Sequence, residues 1–395
     1  MSKISSILAK IIDDSRGEST IEVTLTTEAG TSAVSSIPSG RSKSTHEAAA
    51  IPAKDAAENV NTILNEKLKG IEVSDLKAID SLMIELDGTS NKSNLGGNAI
   101  LAISIASAKA AAVEANMPLY KYLGQLSGRL KQSLPIPILN VINGGKHAKN
   151  DLTYQEFSLM PVGFNSFAEK IDASITVFDE LGEIMKKDNL NLVMGDEGGY
   201  APSGINNEQA MEYLVRAIKN AGFELVKDFK IGFDIAASSM VNYAENAETY
   251  FKMLQKYPIL VLEDPFSEDE WHDWTEFNLR LQEVTKDVVV VGDDLFATNA
   301  SRLKQGIQAN AANGIIIKPN QIGTLTELFE VTDLARDNDI HMVVSHRSGE
   351  TSDSFIADLA VGVGAEFFKA GAPNVNNPER MNKYTRIKEI EKELK

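Results

Sequence analysis

The sequence predicts an α/β protein, with a β/α barrel over residues 126–395 preceded by a smaller α+β domain over residues 1–125. Three observations predict it. First, the segments KIGFDIAAS, ILVLEDPF, VVVVGDDLF, GIIIKPNQIG and IHMVVSHRSGE each open on a short run rich in Val, Ile and Leu and then break at Gly, Pro or a polar cluster. Such runs are too short for helices and suit strands buried on both faces. Second, their charged residues Asp234, Glu263, Asp293, Lys318 and His346 recur at intervals of 29, 30, 25 and 28 positions, room for one strand, one helix and two short loops. Third, 395 residues suffice for a barrel of roughly 250 residues and one further domain. Side chains at the C-terminal ends of barrel strands converge on one mouth, so these three carboxylates, the lysine and the histidine are expected to share a site.

The elements follow in order. Over residues 20–37, Ile21, Val23 and Leu25 alternate with polar residues before a Glu28-Ala29-Gly30 turn, the pattern of a hairpin. PSGRSKSTHE reads as an exposed loop. Helical patterns follow at about 46–68, 74–86 and 97–115, with a short one at 119–129. The prolines of LPIPILNVING favour extended chain and mark the start of the barrel. PIPILNVI, EFSLMPVG and NLVMGDEGG are strand candidates, the last two separated by an amphipathic helix at about 165–187. With AEFFKAG this makes nine candidates for eight places, so one is a lead-in or lies outside the wall. No helix joins the first two, which leaves them open to antiparallel pairing. KYTRIKEIEKELK reads as a charged, solvated C-terminal helix.

Composition narrows the function. With 39 basic and 56 acidic residues the formal charge is −17, which repels nucleic acid and anionic membranes. An anionic substrate therefore needs local cations. The absence of cysteine excludes disulfides, thiolate zinc sites and cysteine nucleophiles, so any metal is expected to be bound by oxygen. MSKISSILAK lacks the apolar run of a signal peptide, and no stretch approaches eighteen apolar residues, so a cytoplasmic protein without a membrane span is expected.

Asp234, Glu263 and Asp293 follow apolar runs, where a bare carboxylate costs several kcal/mol unless paired or bound to metal. Lys318, Lys369 and Arg347 are the alternative partners; three converging acids favour a hard cation such as Mg²⁺. GDEGG adds Asp196 and Glu197 between glycines. Lys318, at a dry rim beside metal, is expected to have a lowered pKa and to suit a general base. His346, Arg347 and Ser348 suit an anionic group. His147 is a lone loop histidine, structural or functional on equal terms. His46, His272 and His341 read as bystanders.

These residues resemble one family. LNVINGGKHAKN, QEFSLMPVG, GDEGGYAPSG, LEDPFSEDEW, GDDLFATN, IKPNQIGT, SHRSGETSDSFIADLAVG and KAGAP follow the enolase pattern over nearly the whole chain from Asp14. The resemblance implies an enolase-type barrel and the reversible dehydration of 2-phosphoglycerate to phosphoenolpyruvate in glycolysis and gluconeogenesis. It implies Asp234, Glu263 and Asp293 as ligands of a first Mg²⁺, Ser42 at a second, Lys318 as base, a protonated Glu197 as acid and Glu156 as the acid's partner. His147, Gln155, His346 and Lys369 become substrate contacts, and Arg347 with Ser348 the phosphate site. A small phosphorylated carboxylate as substrate and a homodimer or higher homo-oligomer go with it.

Departures lie in the N-terminal part: DSRGEST for DSRGNPT, SGRSKS for SGASTG and LGGNA for LGANA. Arg41 and Lys43 add two cations to the loop, expected either to be solvated or to meet the substrate phosphate. A superfamily relative acting on another carboxylate would have no reason to keep Arg347 and Ser348 with Glu197. A non-catalytic scaffold would have lost such residues.

Overall fold

The computed structural model describes residues 1–41, 44–240 and 247–395. The chain begins with a three-stranded antiparallel sheet of β1 (Ile4–Asp13), β2 (Ser19–Thr27) and β3 (Ser32–Ser36), in that order. β2 and β3 are the expected hairpin, with Ile21, Val23 and Leu25 fully buried. β1 was not anticipated. A register shift between Ile4 and Ser6 puts its inward residues Ile4 and Ile7 three apart, which breaks the alternation that marks a strand.

The helix Gly97–Glu114 packs against this sheet and is buried on nearly every side, which explains why it is apolar all round. Among the described residues no single helix is long and apolar enough to cross a membrane. The helix expected from about residue 46 starts only at Ala53, after Pro52.

Eight strands close the barrel: β4 (Ile136–Asn143), β5 (Glu156–Pro161), β6 (Phe229–Asp234), β7 (Ile259–Glu263), β8 (Val289–Gly292), β9 (Gly314–Ile317), β10 (His341–Ser345) and β11 (Phe367–Lys369). Their order round the wall is β10-β11-β4-β5-β6-β7-β8-β9. All neighbours are parallel except that β5 runs opposite to β4 and β6. The candidate outside the wall is NLVMGDEGG, which forms only isolated bridges through Met194 and Tyr200. Its apolar run is not buried: Leu192, Val193 and Met194 are 38%, 58% and 43% exposed. It is instead the loop joining helix Phe167–Lys187 to helix Asn207–Asn220, the latter absent from the sequence reading. Since β5 descends from the mouth, two helices must carry the chain up and back before β6 can start at the bottom.

Ile138, Met160, Val261, Val289, Val291, Ile316, Val343 and Phe367 fill the barrel interior. They give the mouth a dry floor. The C-terminal helix Pro378–Leu394 is not a solvated rod: Arg380, Lys383, Tyr384, Ile387, Ile390 and Glu391 are buried. Its apolar residues recur every third position and mark a docked face that the surrounding charges hide in a composition count.

Candidate active site

Strand register turns the sequence spacing into adjacency. Glu156 pairs across from Asp234, Asp234 from Glu263, and Ser345 from Lys369. β5 contributes from its first residue because it runs backward, while Asp293 and Lys318 directly follow β8 and β9.

Lys369 is the hub of one half of the mouth. Its Nζ lies 2.7 Å from Glu263, 2.8 Å from Glu156 and 3.7 Å from Asp234, all of them buried. Gln155 Nε2 donates to Asp234 at 3.0 Å. In the other half the Lys318 ammonium pairs with Asp293, and Gln321 Nε2 donates to the second Asp293 oxygen at 3.1 Å.

The expected triad of Asp234, Glu263 and Asp293 is therefore divided. Ligand oxygens of Asp234 and Glu263 cluster with Glu156, whereas those of Asp293 cluster with Asp264 and Asp294, each group within 4.8 Å. Asp264 has a positioning task that the sequence reading passed over: its carboxylate accepts the Asp293 and Asp294 amides at 2.9 and 2.8 Å.

Burial pushes Glu263 up to about 8, with the Asp234 carboxylate adding to it, and raises Asp234 to about 6. Burial also drives Glu156 well above the ordinary glutamate range. For Lys318 burial acts downward, but Asp293 outweighs it and holds the ammonium above the ordinary lysine value. The expected lowering of its pKa is thus reversed in this structure, because a carboxylate in direct contact stabilises the charged form.

The acid side is held by a second set of contacts. Glu197 accepts from Asn140 Nδ2 at 2.9 Å, lies 3.3 Å from His346 Nε2 and 3.6 Å from His147 Nδ1. Burial alone would raise it; His346 and His147 hold it well below the ordinary range. Both rings are themselves pushed down to about 4 by burial, so near neutrality they serve Glu197 as neutral dipoles. The two glutamates are thus shifted in opposite directions, Glu156 upward by burial and Glu197 downward by its histidine neighbours. His147 sits between the two, 3.6 Å from each, and so belongs to the site.

Arg347 is buried against Glu47 at 3.1 Å and Asn320 at 2.9 Å. Ser348 Oγ accepts from Arg16 at 3.1 Å and from the Arg41 amide at 3.0 Å. Ser39 and Gly349 exchange backbone hydrogen bonds of 2.8 and 2.9 Å, laying the loop over Arg347. Only glycine fits at position 40, where a Cβ would stand 2.0 Å from the Arg347 guanidinium. Arg41 turns neither to bulk water alone nor into the mouth: its Nε is 3.0 Å from Asp196, with 45% of the side chain exposed. Ser42 and Lys43 lie outside the described residues. His272 is exposed, His46 meets Arg302, and His341 opens β10 at the far end of the barrel.

Two family models match the chain: enolase, C-terminal TIM barrel domain, over residues 131–395, and enolase, N-terminal domain, over residues 4–123. The chain belongs to the enolase family. Its barrel mouth fits a hard divalent cation on independent grounds. Among the described residues Asp234 Oδ1 and Glu263 Oε1 are buried without hydrogen-bond partners, and the clusters of Glu156, Asp234 and Glu263 and of Asp264, Asp293 and Asp294 offer oxygen alone.

The same charges make the stability of this enolase-family protein depend on pH. Glu263 and Asp294, the latter raised by burial to about 7, keep protons in the folded state that the unfolded chain releases near its ordinary carboxylate values. Between about pH 4, where the unfolded chain loses these protons, and about pH 8 the native state binds more protons than the unfolded one, so their contribution to stability falls as pH rises through that window and levels off above it. Thermal unfolding in EDTA is expected to show this fall, and saturating Mg²⁺ to flatten it. A pH-independent midpoint in EDTA would mean that these carboxylates ionise freely.

Proposed function

We propose that this protein is a Mg²⁺-dependent lyase that reversibly dehydrates 2-phosphoglycerate to phosphoenolpyruvate. The observation that carries the reading is the distribution of groups round one mouth. Lys318 follows β9 and Glu156 opens β5, four places apart in a closed wall of eight and hence on opposite walls, with Arg347 and Ser348 beside them after β10. A base and an acid facing each other across a bound molecule suit removal of a proton and a hydroxide from opposite faces.

Arg347 and Ser348 would bind the phosphate, a local cationic anchor that a chain of charge −17 requires. Lys318 would take the α-proton. Because Asp293 holds it as an ammonium, this step requires Asp293 to turn to another cation. The departing hydroxide would take its proton from the Glu156–Glu197 pair, which His147 and Asn140 orient.

Asp234, Glu263 and Asp293 would hold the first Mg²⁺, and Ser42 would help hold a second. Bound there, the metal supplies positive charge against the substrate carboxylate as it gains the electrons of the C–H bond. Lys369, whose ammonium lies 2.8 Å from Glu156 and 2.7 Å from Glu263, would face the same carboxylate. Gln155 and His346 complete the substrate contacts. A cytoplasmic, glycolytic homo-oligomer is part of the same reading.

The deciding experiment is an absorbance assay for enol formation from 2-phosphoglycerate with and without Mg²⁺. A Mg²⁺-dependent signal is expected. None at high enzyme concentration would sink the reading.

A further inference from the structure

The C-terminal helix buries a residue that the proposed reaction leaves without a task. Arg380 is 0% exposed, and its partners are all neutral acceptors. It donates to the carbonyls of Asp196 at 3.0 Å, Arg347 at 3.0 Å and Ser348 at 2.8 Å, and to Nδ1 of His346. A guanidinium at this depth is ordinarily matched by a carboxylate. Here its two terminal nitrogens donate to the backbone of two loops and to one imidazole, while Nε finds no partner among the described residues. Room for its stem is provided by Gly371, which has φ +88 and where a Cβ would stand 2.5 Å from Arg380 Cδ.

The contact with His346 has a definite chemical meaning. A guanidinium carries only donors and stays charged at any working pH, so the ring nitrogen facing it must accept. With the Nδ1 lone pair occupied, the proton of the neutral ring is on Nε2. That nitrogen is the one 3.3 Å from Glu197 Oε2. The carbonyls held by the same guanidinium belong to the residue before Glu197 and to the two residues after His346, so one side chain fixes both backbones that carry the pair.

We infer that Arg380 is a positioning residue: it locks His346 as the Nε2–H tautomer aimed at Glu197, and clamps the GDEGG turn to the SHRSGE loop. The inference rests on the reading that Glu197 and His346 belong to the active site. Its spectroscopic test is independent of which reaction they serve.

The test is nitrogen NMR of the whole protein labelled at histidine. Only five histidines are present, and His346→Gln identifies the signals of interest by their loss. In the wild-type protein near pH 7, His346 is expected to show a protonated Nε2 and an unprotonated, hydrogen-bonded Nδ1. The Nδ1–H tautomer, or a mixture of the two, would overturn the inference without any change to Arg380.

In Arg380→Met the single tautomer is expected to give way to a mixture, and kcat for dehydration to fall about 10- to 100-fold. Arg380→Lys keeps a charged donor and is expected to restore the tautomer and part of kcat. A folded Arg380→Met with an unchanged His346 spectrum would also overturn it. Should that variant fail to fold, the wild-type and Arg380→Lys spectra decide. A protein inactive on 2-phosphoglycerate that still shows the fixed tautomer would retire the proposed reaction and leave the role of Arg380 standing.

Discussion

Lys318→Ala is expected to lower kcat about 10²- to 10⁴-fold, the usual contribution of a positioned base, while substrate binding stays measurable. The side chain is held for one task. Its backbone amide donates to Thr298 Oγ1 at 3.0 Å, and Pro319 follows it as the first residue of helix Pro319–Ile322. Its ammonium points inward to Asp293. Exchange of the substrate's α-proton with solvent deuterium should vanish in the variant; persistent exchange in a folded variant would assign the base elsewhere. The same substitution leaves Asp293 buried with Gln321 as its one side-chain donor among the described residues. Breaking such a pair costs about 3–5 kcal/mol, so the exchange experiment needs a melting curve beside it and saturating Mg²⁺ throughout.

Lys369→Met is expected to produce the larger loss of stability. It removes an ammonium within ion-pair reach of Glu156, Asp234 and Glu263 together, where breaking even one buried pair costs about 3–5 kcal/mol. Two treatments should restore stability: lowering the pH through about 6, which protonates Asp234, and adding a divalent cation, which replaces the lost charge. Calorimetry in EDTA and in saturating Mg²⁺ separates these effects. The Mg²⁺-induced rise in Tm should be greater in the variant than in the wild type. An equal or smaller rise would show that the cation does not bind at Asp234 and Glu263.

Much of the barrel was legible because a strand buried on both faces is written as an unbroken apolar run, and its last residue marks the mouth. That logic located Asp234, Glu263, Asp293, Lys318 and His346 together. It failed at NLVMGDEGG, where three apolar residues in a row are exposed on a loop, and at β1, where a bulge removes the alternation. Protonation was not legible at all. Whether Lys318 or Glu197 lies above or below its ordinary value depends on which partner stands within a few ångströms across the mouth, and pairings such as Lys318 with Asp293 or Glu197 with His346 are set by side-chain packing. Arg380 was hidden for a related reason, since its four partners come from segments 32 to 184 positions away.

The seam of the barrel lies between β11 and β4, where Phe367 meets Ile136 and Lys369 meets Ile138. The ribosome makes these two edges more than two hundred residues apart, so β4, already paired with β5 on one side, must wait for nearly the whole chain before its second partner exists. Until then Glu156, Asp234 and Glu263 are attached to an open sheet and their counter-ion has yet to be synthesised. Closing the ring and neutralising the acids are one event, performed by a three-residue strand that brings Lys369 with it. A nascent chain stalled before residue 369 would carry three acids without their counter-ion on a wall that cannot dry, and its barrel could not close over them.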